Sequence, residues 1–173
     1  MKKIIIIGSP GSGKSTLSKR LSKLLKFPLL HLDRVYHIDN ENQISRDELI
    51  EIISNFASSN KEWIIDGNYN STLEDRTMLS DTIIFMKIPT SICLENIHKR
   101  SKEFNDKGRS DMAEGFDDSI MDDDFEDFVR NFKKEKHPFI NGVLEKYKEK
   151  TVIELNSYKE MEAFLDRVQE ERR

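Results

Sequence analysis

Four isoleucines, Ile4–Ile7, run without interruption into Gly8-Ser9-Pro10-Gly11-Ser12-Gly13-Lys14-Ser15-Thr16. No other stretch restricts the fold so tightly. A short β-branched run bounded by glycine reads as a strand buried on both faces. The spacing of Gly8, Gly13, Lys14 and Ser15 fits G-x-x-x-x-G-K-[ST], a loop that cradles phosphate. Its backbone N–H groups turn inward as an anion nest, which Cβ atoms would crowd; hence the glycines. A helix starting near Lys14 aims its positive dipole end at the same anion. Gly8, Ser9, Pro10, Gly11, Ser12, Gly13, Lys14, Ser15 and Thr16 are therefore the candidate nucleotide-binding residues. Lys14 is expected to reach the β- and γ-phosphates, and the Ser15 hydroxyl to ligate Mg2+. The motif predicts a bound nucleoside triphosphate and says nothing of the reaction.

Beyond the loop, short apolar runs alternate with helical stripes. Leu17, Leu21, Leu24 and Leu25 recur at helical spacing up to Phe27-Pro28. Leu29-Leu30-His31-Leu32 reads as a strand with Asp33 and Arg34 at its C-terminal end, the edge where open α/β sheets bind ligands. Both are substrate-site candidates; the competing reading of Asp33 is a helix cap in a polar loop. Ile44, Leu49, Ile52, Ile53 and Phe56 form a helix over 44–60, opened by a capping box from Ser45 to Glu48. Trp63-Ile64-Ile65 is the next strand, and Asp66-Gly67-Asn68-Tyr69 follows. An acid directly after a buried strand suits a magnesium shell, so Asp66 joins Ser15 as a metal candidate, against the alternative of a plain Asp-Gly turn. Gly67 would let the backbone approach a ligand, and Tyr69 beside it completes the substrate side.

Arg76 is expected to project from a short helix within 70–80. Thr82–Ile88 reads as a strand stopped by Pro89, followed by a helix with Ile92, Leu94 and Ile97, in which Cys93 is a small core residue. Residues 101–127 change character: Lys102, Lys107 and Arg109 precede Asp117, Asp118, Asp122, Asp123, Asp124, Glu126 and Asp127. That composition predicts a lid whose acids form a solvated helix face. Phe125, Phe128, Val129 and Phe132 resume helical spacing, and His137-Pro138 should break or kink the segment. Thr151–Leu155 is the last strand, and Met161, Phe164, Leu165 and Val168 line the last helix.

Strands alternating with helices mean an α/β fold with a parallel sheet covered on both faces. Right-handed crossovers then collect the glycine loop, Asp33, Asp66 and Pro89 on one sheet edge. At 173 residues one domain, 1–173, is expected. A net charge of −4 argues against a general nucleic-acid binder. The single cysteine excludes an intrachain disulfide and a Cys-based zinc site, and fits a reducing, cytoplasmic setting. No apolar run approaches the roughly 20 residues of a membrane helix. The four histidines have no metal-like spacing.

The chain resembles the P-loop kinases of the adenylate kinase, or nucleoside monophosphate kinase, type over nearly its whole length. It is similar more closely to the bacterial DNA topology modulation (FlaR-like) proteins. Gly8–Thr16, Trp63–Tyr69, Lys107-Gly108-Arg109 with Asp111–Gly115, and Arg130-Asn131-Phe132 carry the likeness. The resemblance implies a three-layer α/β/α P-loop NTPase with a five-stranded parallel sheet, a substrate-side helical segment at about 34–62 and a short helical lid at about 101–127. In the nucleoside monophosphate kinases the third strand leads into Asp-Gly-Phe-Pro-Arg. Asp66-Gly67 is kept here, but Asn68-Tyr69-Asn70 replaces the rest, so the arginine that grips the acceptor phosphate is missing from that place. Arg76 or Arg34 is the expected substitute. Arg100 matches the lid arginine that lies against ATP, and Arg109 and Arg130 resemble arginines that clamp the transferring group. The loop near Asn156 and Ser157 resembles the one that touches adenine.

The expected function is ATP- and Mg2+-dependent phosphoryl transfer to a small acceptor, a nucleotide or nucleoside, with Lys14, Asp33, Arg100, Arg109 and Arg130 as catalytic residues. Three rivals stand beside it. One is a nucleotide-dependent regulatory or DNA-associated protein without kinase activity. Another is a GTPase switch, which lacks its Asn-Lys-x-Asp motif here. The last is a kinase of a non-nucleotide hydroxyl acceptor, of the shikimate or gluconate kinase type. A monomer or a homodimer is expected.

Overall fold

Strand β1 (Lys3–Gly8) lies at the centre of the sheet because both of its faces are apolar. Ile4 and Ile6 enter one core, Ile5 and Ile7 the other, and all four are fully buried. Each contributes roughly 1.5–3 kcal/mol of apolar burial. The computed structural model describes residues 1–38, 42–102, 112 and 123–172. Within them β2 (Leu29–His31), β3 (Trp63–Asp66), β4 (Thr82–Met86) and β5 (Thr151–Leu155) complete a five-stranded, all-parallel sheet of order β2-β3-β1-β4-β5.

Helices cover both faces. On the Ile4/Ile6 side lie α1 (Lys14–Leu25), α5 (Thr90–Lys102) and α7 (Tyr158–Glu170), through Leu17 and Leu21, Cys93 and Ile97, and Phe164 and Leu165. The Ile5/Ile7 side is covered by α3 (Arg46–Ser59), α4 (Leu73–Leu79) and most of α6 (Asp123–Lys146). A one-turn helix, α2 (Leu32–Tyr36), follows β2 and buries Leu32 in that second core. This is the three-layer α/β/α arrangement of a P-loop kinase.

The local signals hold where the chemistry is local. The Ser45 side chain accepts from Glu48 N, and Glu48 returns the bond to Ser45 N, closing the capping box that opens α3. Two expectations change. β2 stops at His31 instead of Leu32, and Asp33 stands in the first turn of α2 instead of at the strand's end. His137-Pro138 does not break α6, which runs through Pro138 to Lys146. Val129 and Phe132 before the proline, and Ile140, Val143 and Leu144 after it, are all buried, so packing on both sides outweighs the missing backbone bond. Most of the expected lid, including Lys107, Arg109, Asp117, Asp118 and Asp122, lies outside the described residues. Of its acids, Asp123, Asp124 and Asp127 sit exposed on the first turns of α6.

Candidate active site

The strand register brings three chain ends to one edge. Ile6 pairs with Asp66, His31 pairs with Asp66 across the next strand, and Gly8 pairs with Met86. The glycine loop rises from that edge between β1 and α1. At Gly11 φ is +74° and an added Cβ would lie 2.3 Å from the Cys93 carbonyl oxygen, so α5 packs directly on the loop and only glycine fits. The Gly11 carbonyl in turn accepts from Asn96 Nδ2 at 2.8 Å, and the same amide lies 2.7 Å from the Tyr158 hydroxyl. One residue of α5 and the first residue of α7 thus brace the loop from outside.

Inside the loop, Lys14 Nζ donates to Ser9 O at 2.9 Å. Burial pulls the Lys14 ammonium below the ordinary lysine value; the carboxylates of Asp33 and Asp66 partly offset this and Arg100 adds to it. The Ser12 hydroxyl is buried and makes no hydrogen bond among the described residues. A half-satisfied ammonium, an unpaired buried hydroxyl and a helix N-terminus form a donor set that fits a phosphate chain.

Asp66 closes β3 at 3% exposure. Its Oδ2 accepts from Ser18 Oγ at 2.6 Å, and its Oδ1 pairs with His31 Nδ1 at 2.7 Å. Among the described residues no group of three or more His, Cys, Asp or Glu is placed to cage a metal. A magnesium ion bound through one hydroxyl and substrate phosphates, with a carboxylate on its water shell, fits what Ser15 and Asp66 can offer.

The acceptor side is built on Asp33. The Tyr69 hydroxyl donates to Asp33 Oδ1 at 2.6 Å, and no other hydrogen bond to the Asp33 carboxylate occurs among the described residues. His37 Nε2 lies 3.2 Å from the same hydroxyl, and the Tyr36 ring lies 4.4 Å from that of Tyr69. Burial beside Asp33 lifts the Tyr69 phenol far above its usual value, so it stays a donor. Gly67, at φ +137°, brings the chain over α2; a Cβ there would lie 2.7 Å from Leu32 Cβ.

Arg76 corrects an expectation. It does not project from its helix: it is 0% exposed, and its guanidinium donates to Gly67 O at 2.9 Å, Tyr69 O at 2.8 Å, and Thr72 O and Oγ1. It is committed to the backbone of the loop that follows β3. Burial pulls it down to about 10. Arg34 is exposed on α2. Arg100, on α5, acts electrostatically on Lys14. Arg130 is exposed and paired with Glu126 one turn back on α6, and His98 holds the other Glu126 oxygen at 2.9 Å. Arg109 lies outside the described residues. Lys14, Asp33, Asp66 and Arg100 are therefore brought together, and Arg130 is not.

Sequence reasoning missed Ser18, His31, His37, Asn68 and Asn70. Ser18 had a signal, since it stands one helical turn beyond Lys14. His31 is legible only once the β2–β3 register is known. Asn68 Nδ2 and Asn70 Oδ1 are buried without hydrogen-bond partners among the described residues, next to Tyr69.

The family described as AAA domain matches residues 4–122. The chain belongs to that family of P-loop kinases. Over 176 residues, covering 92% of this chain and 97% of the relative, this family member is 26% identical to the shikimate kinase of Clostridium botulinum (strain Langeland / NCTC 10281 / Type F). In structure it is similar to shikimate kinase from Acinetobacter baumannii in complex with shikimate, with a TM-score of 0.62 and 15% identity over 97% of this chain and 90% of that one. It is also similar to deoxyadenosine kinase from M. mycoides with bound dATP, with a TM-score of 0.58 and 13% identity over 97% and 99%. At such identities the structural likeness establishes the fold, and the sequence relatives support a phosphotransferase.

Proposed function

We propose that this chain transfers the γ-phosphoryl group of ATP to a hydroxyl of a small acceptor, with Mg2+, and that Asp33 takes the hydroxyl proton. The observation that carries the reading is Asp33 itself. One of its oxygens is fixed by Tyr69, the other makes no hydrogen bond among the described residues, and the carboxylate acts electrostatically on Lys14. A carboxylate at the acceptor suits a hydroxyl and repels a phosphate. Arg76, the expected substitute for a phosphate-gripping arginine, is spent on backbone carbonyls. The names of the similar proteins, shikimate kinase and deoxyadenosine kinase, point to small hydroxyl-bearing acceptors as well.

When bound, ATP supplies the phosphoryl group and Mg2+ the positive charge that its oxygens need. Lys14 exchanges its bond to Ser9 O for phosphate oxygens, and the loop N–H groups orient the chain of phosphates. The Ser15 hydroxyl would hold the ion, and Asp66, with both oxygens engaged by Ser18 and His31, would hold its water shell. Asp33 Oδ2 accepts the acceptor's proton as the new O–P bond forms and ADP leaves. Arg100 would steady the transferred group from α5.

Labelled ATP and Mg2+ with a panel containing shikimate, deoxyadenosine and nucleoside monophosphates tests the reading. Transfer to a hydroxyl acceptor, abolished in Asp33→Asn while ATP still binds, is the expected result. Transfer to phosphate acceptors alone overturns it.

A further inference from the structure

The Tyr69 hydroxyl stands between two partners, Asp33 Oδ1 at 2.6 Å and His37 Nε2 at 3.2 Å. A phenol carries one proton. The short bond to a carboxylate is charge-assisted and claims it. The contact with His37 then has one remaining polarity: the imidazole N–H donates into the phenolic oxygen.

The surrounding chain fixes this arrangement. His37 directly follows α2 and lies one helical turn beyond Asp33, so both side chains leave the same face. Its backbone pairs with Gln43 in an antiparallel bridge, flanked by bonds from Ile38 N to Asn42 O and from Ile44 N to Tyr36 O. Among the described residues, Asp33 and Tyr36 from α2 and Tyr69 from the loop after β3 are titratable groups that face the ring. Burial holds His37 below the ordinary histidine value, with Asp33 pulling the other way, so near neutral pH the ring is uncharged and carries a single N–H.

We propose that His37 is a positioning residue: its Nε2–H holds the Tyr69 oxygen, commits the phenolic proton to Asp33 Oδ1 and leaves Oδ2 as the atom that meets the acceptor. The role of Oδ2 rests on the reading of Asp33 as proton acceptor; the chain His37–Tyr69–Asp33 stands on the geometry alone. Donation into a hydroxyl oxygen strengthens that hydroxyl as a donor, so His37 acts on Asp33 through Tyr69.

Isotope-labelled full-length protein tests this by NMR without any acceptor. His37 should read as the Nε2–H tautomer at pH 7, relaxing toward a mixture in Tyr69→Phe. The Asp33 carboxyl 13C resonance should move in Tyr69→Phe, and by a smaller amount in His37→Phe. His37→Phe should add nothing in the Tyr69→Phe background, and His37→Gln, which keeps an N–H donor, should restore most of the effect. A purely structural histidine would shift Asp33 equally in both backgrounds. That result, or an Nδ1–H tautomer in the wild type, overturns the proposal. Absence of phosphoryl transfer with the NMR pattern intact would instead sink the kinase reading and leave the positioning chain standing.

Discussion

Ser18 Oγ donates to Asp66 Oδ2 at 2.6 Å, joining the buried face of α1 to the end of β3. The bond fixes the carboxylate relative to the glycine loop, because Ser18 and Lys14 ride on the same helix. Ser18→Ala leaves that oxygen buried without its donor, which costs about 1–3 kcal/mol of stability. Urea unfolding should show that loss, and turnover should need more Mg2+ for half-saturation. Unchanged Mg2+ dependence would separate Asp66 from the metal.

Lys14 is the only charged side chain that hydrogen-bonds inside the loop among the described residues. At 100 times its Kd, MgATP should stabilise the wild type by about 2.7 kcal/mol. For a domain of this size that raises Tm by roughly 5–11 °C. Differential scanning fluorimetry should show this rise in the wild type and none in Lys14→Ala. An equal rise in both would place the triphosphate elsewhere.

Arg76 holds the carbonyls of Gly67 and Tyr69 from beneath. Arg76→Ala strands both buried acceptors and should cost roughly 3 kcal/mol or more. Arg76→Lys should recover only part of this, since a point charge cannot serve two carbonyls with a planar fork. A variant that keeps its unfolding midpoint and loses only acceptor KM would return Arg76 to the substrate.

His37 and His137 are both held below the ordinary histidine value. Burial is the first cause in each, and Lys87 and Lys133 add to it at His137. Between about pH 6.5 and their lowered values the unfolded chain binds more protons than the folded one, so stability falls as pH falls through that window. The urea midpoint should drop from pH 7.5 to 5.5, with a shallower fall in His137→Gln.

The strands and the glycine loop were legible because their signals are local. Ile4–Ile7, the capping box at Ser45 and the run Thr151–Leu155 each carry their pattern within a few residues. The proline in α6 misled because its effect depends on burial at Phe132 and Ile140, which periodicity alone does not weigh. Arg76 misled for a related reason. A charged residue on a short polar helix reads as exposed, and only the backbone carbonyls of Gly67 and Tyr69, brought under it by the fold, make its burial tolerable. The His37–Tyr69–Asp33 chain had no sequence signal, since its members come from separate segments.

The position of β1 between β3 and β4 has a consequence for biosynthesis. Lys3 pairs with Trp63 and Ile4 with Thr82, so an apolar, β-branched run of the kind prone to cross-strand association is translated well before either of its neighbours. At ordinary ribosomal speed Trp63 follows roughly 3–12 s later. Through that interval the nascent isoleucine run has no sheet to join, which makes it a site for chaperone capture and ties soluble yield to the pace of elongation.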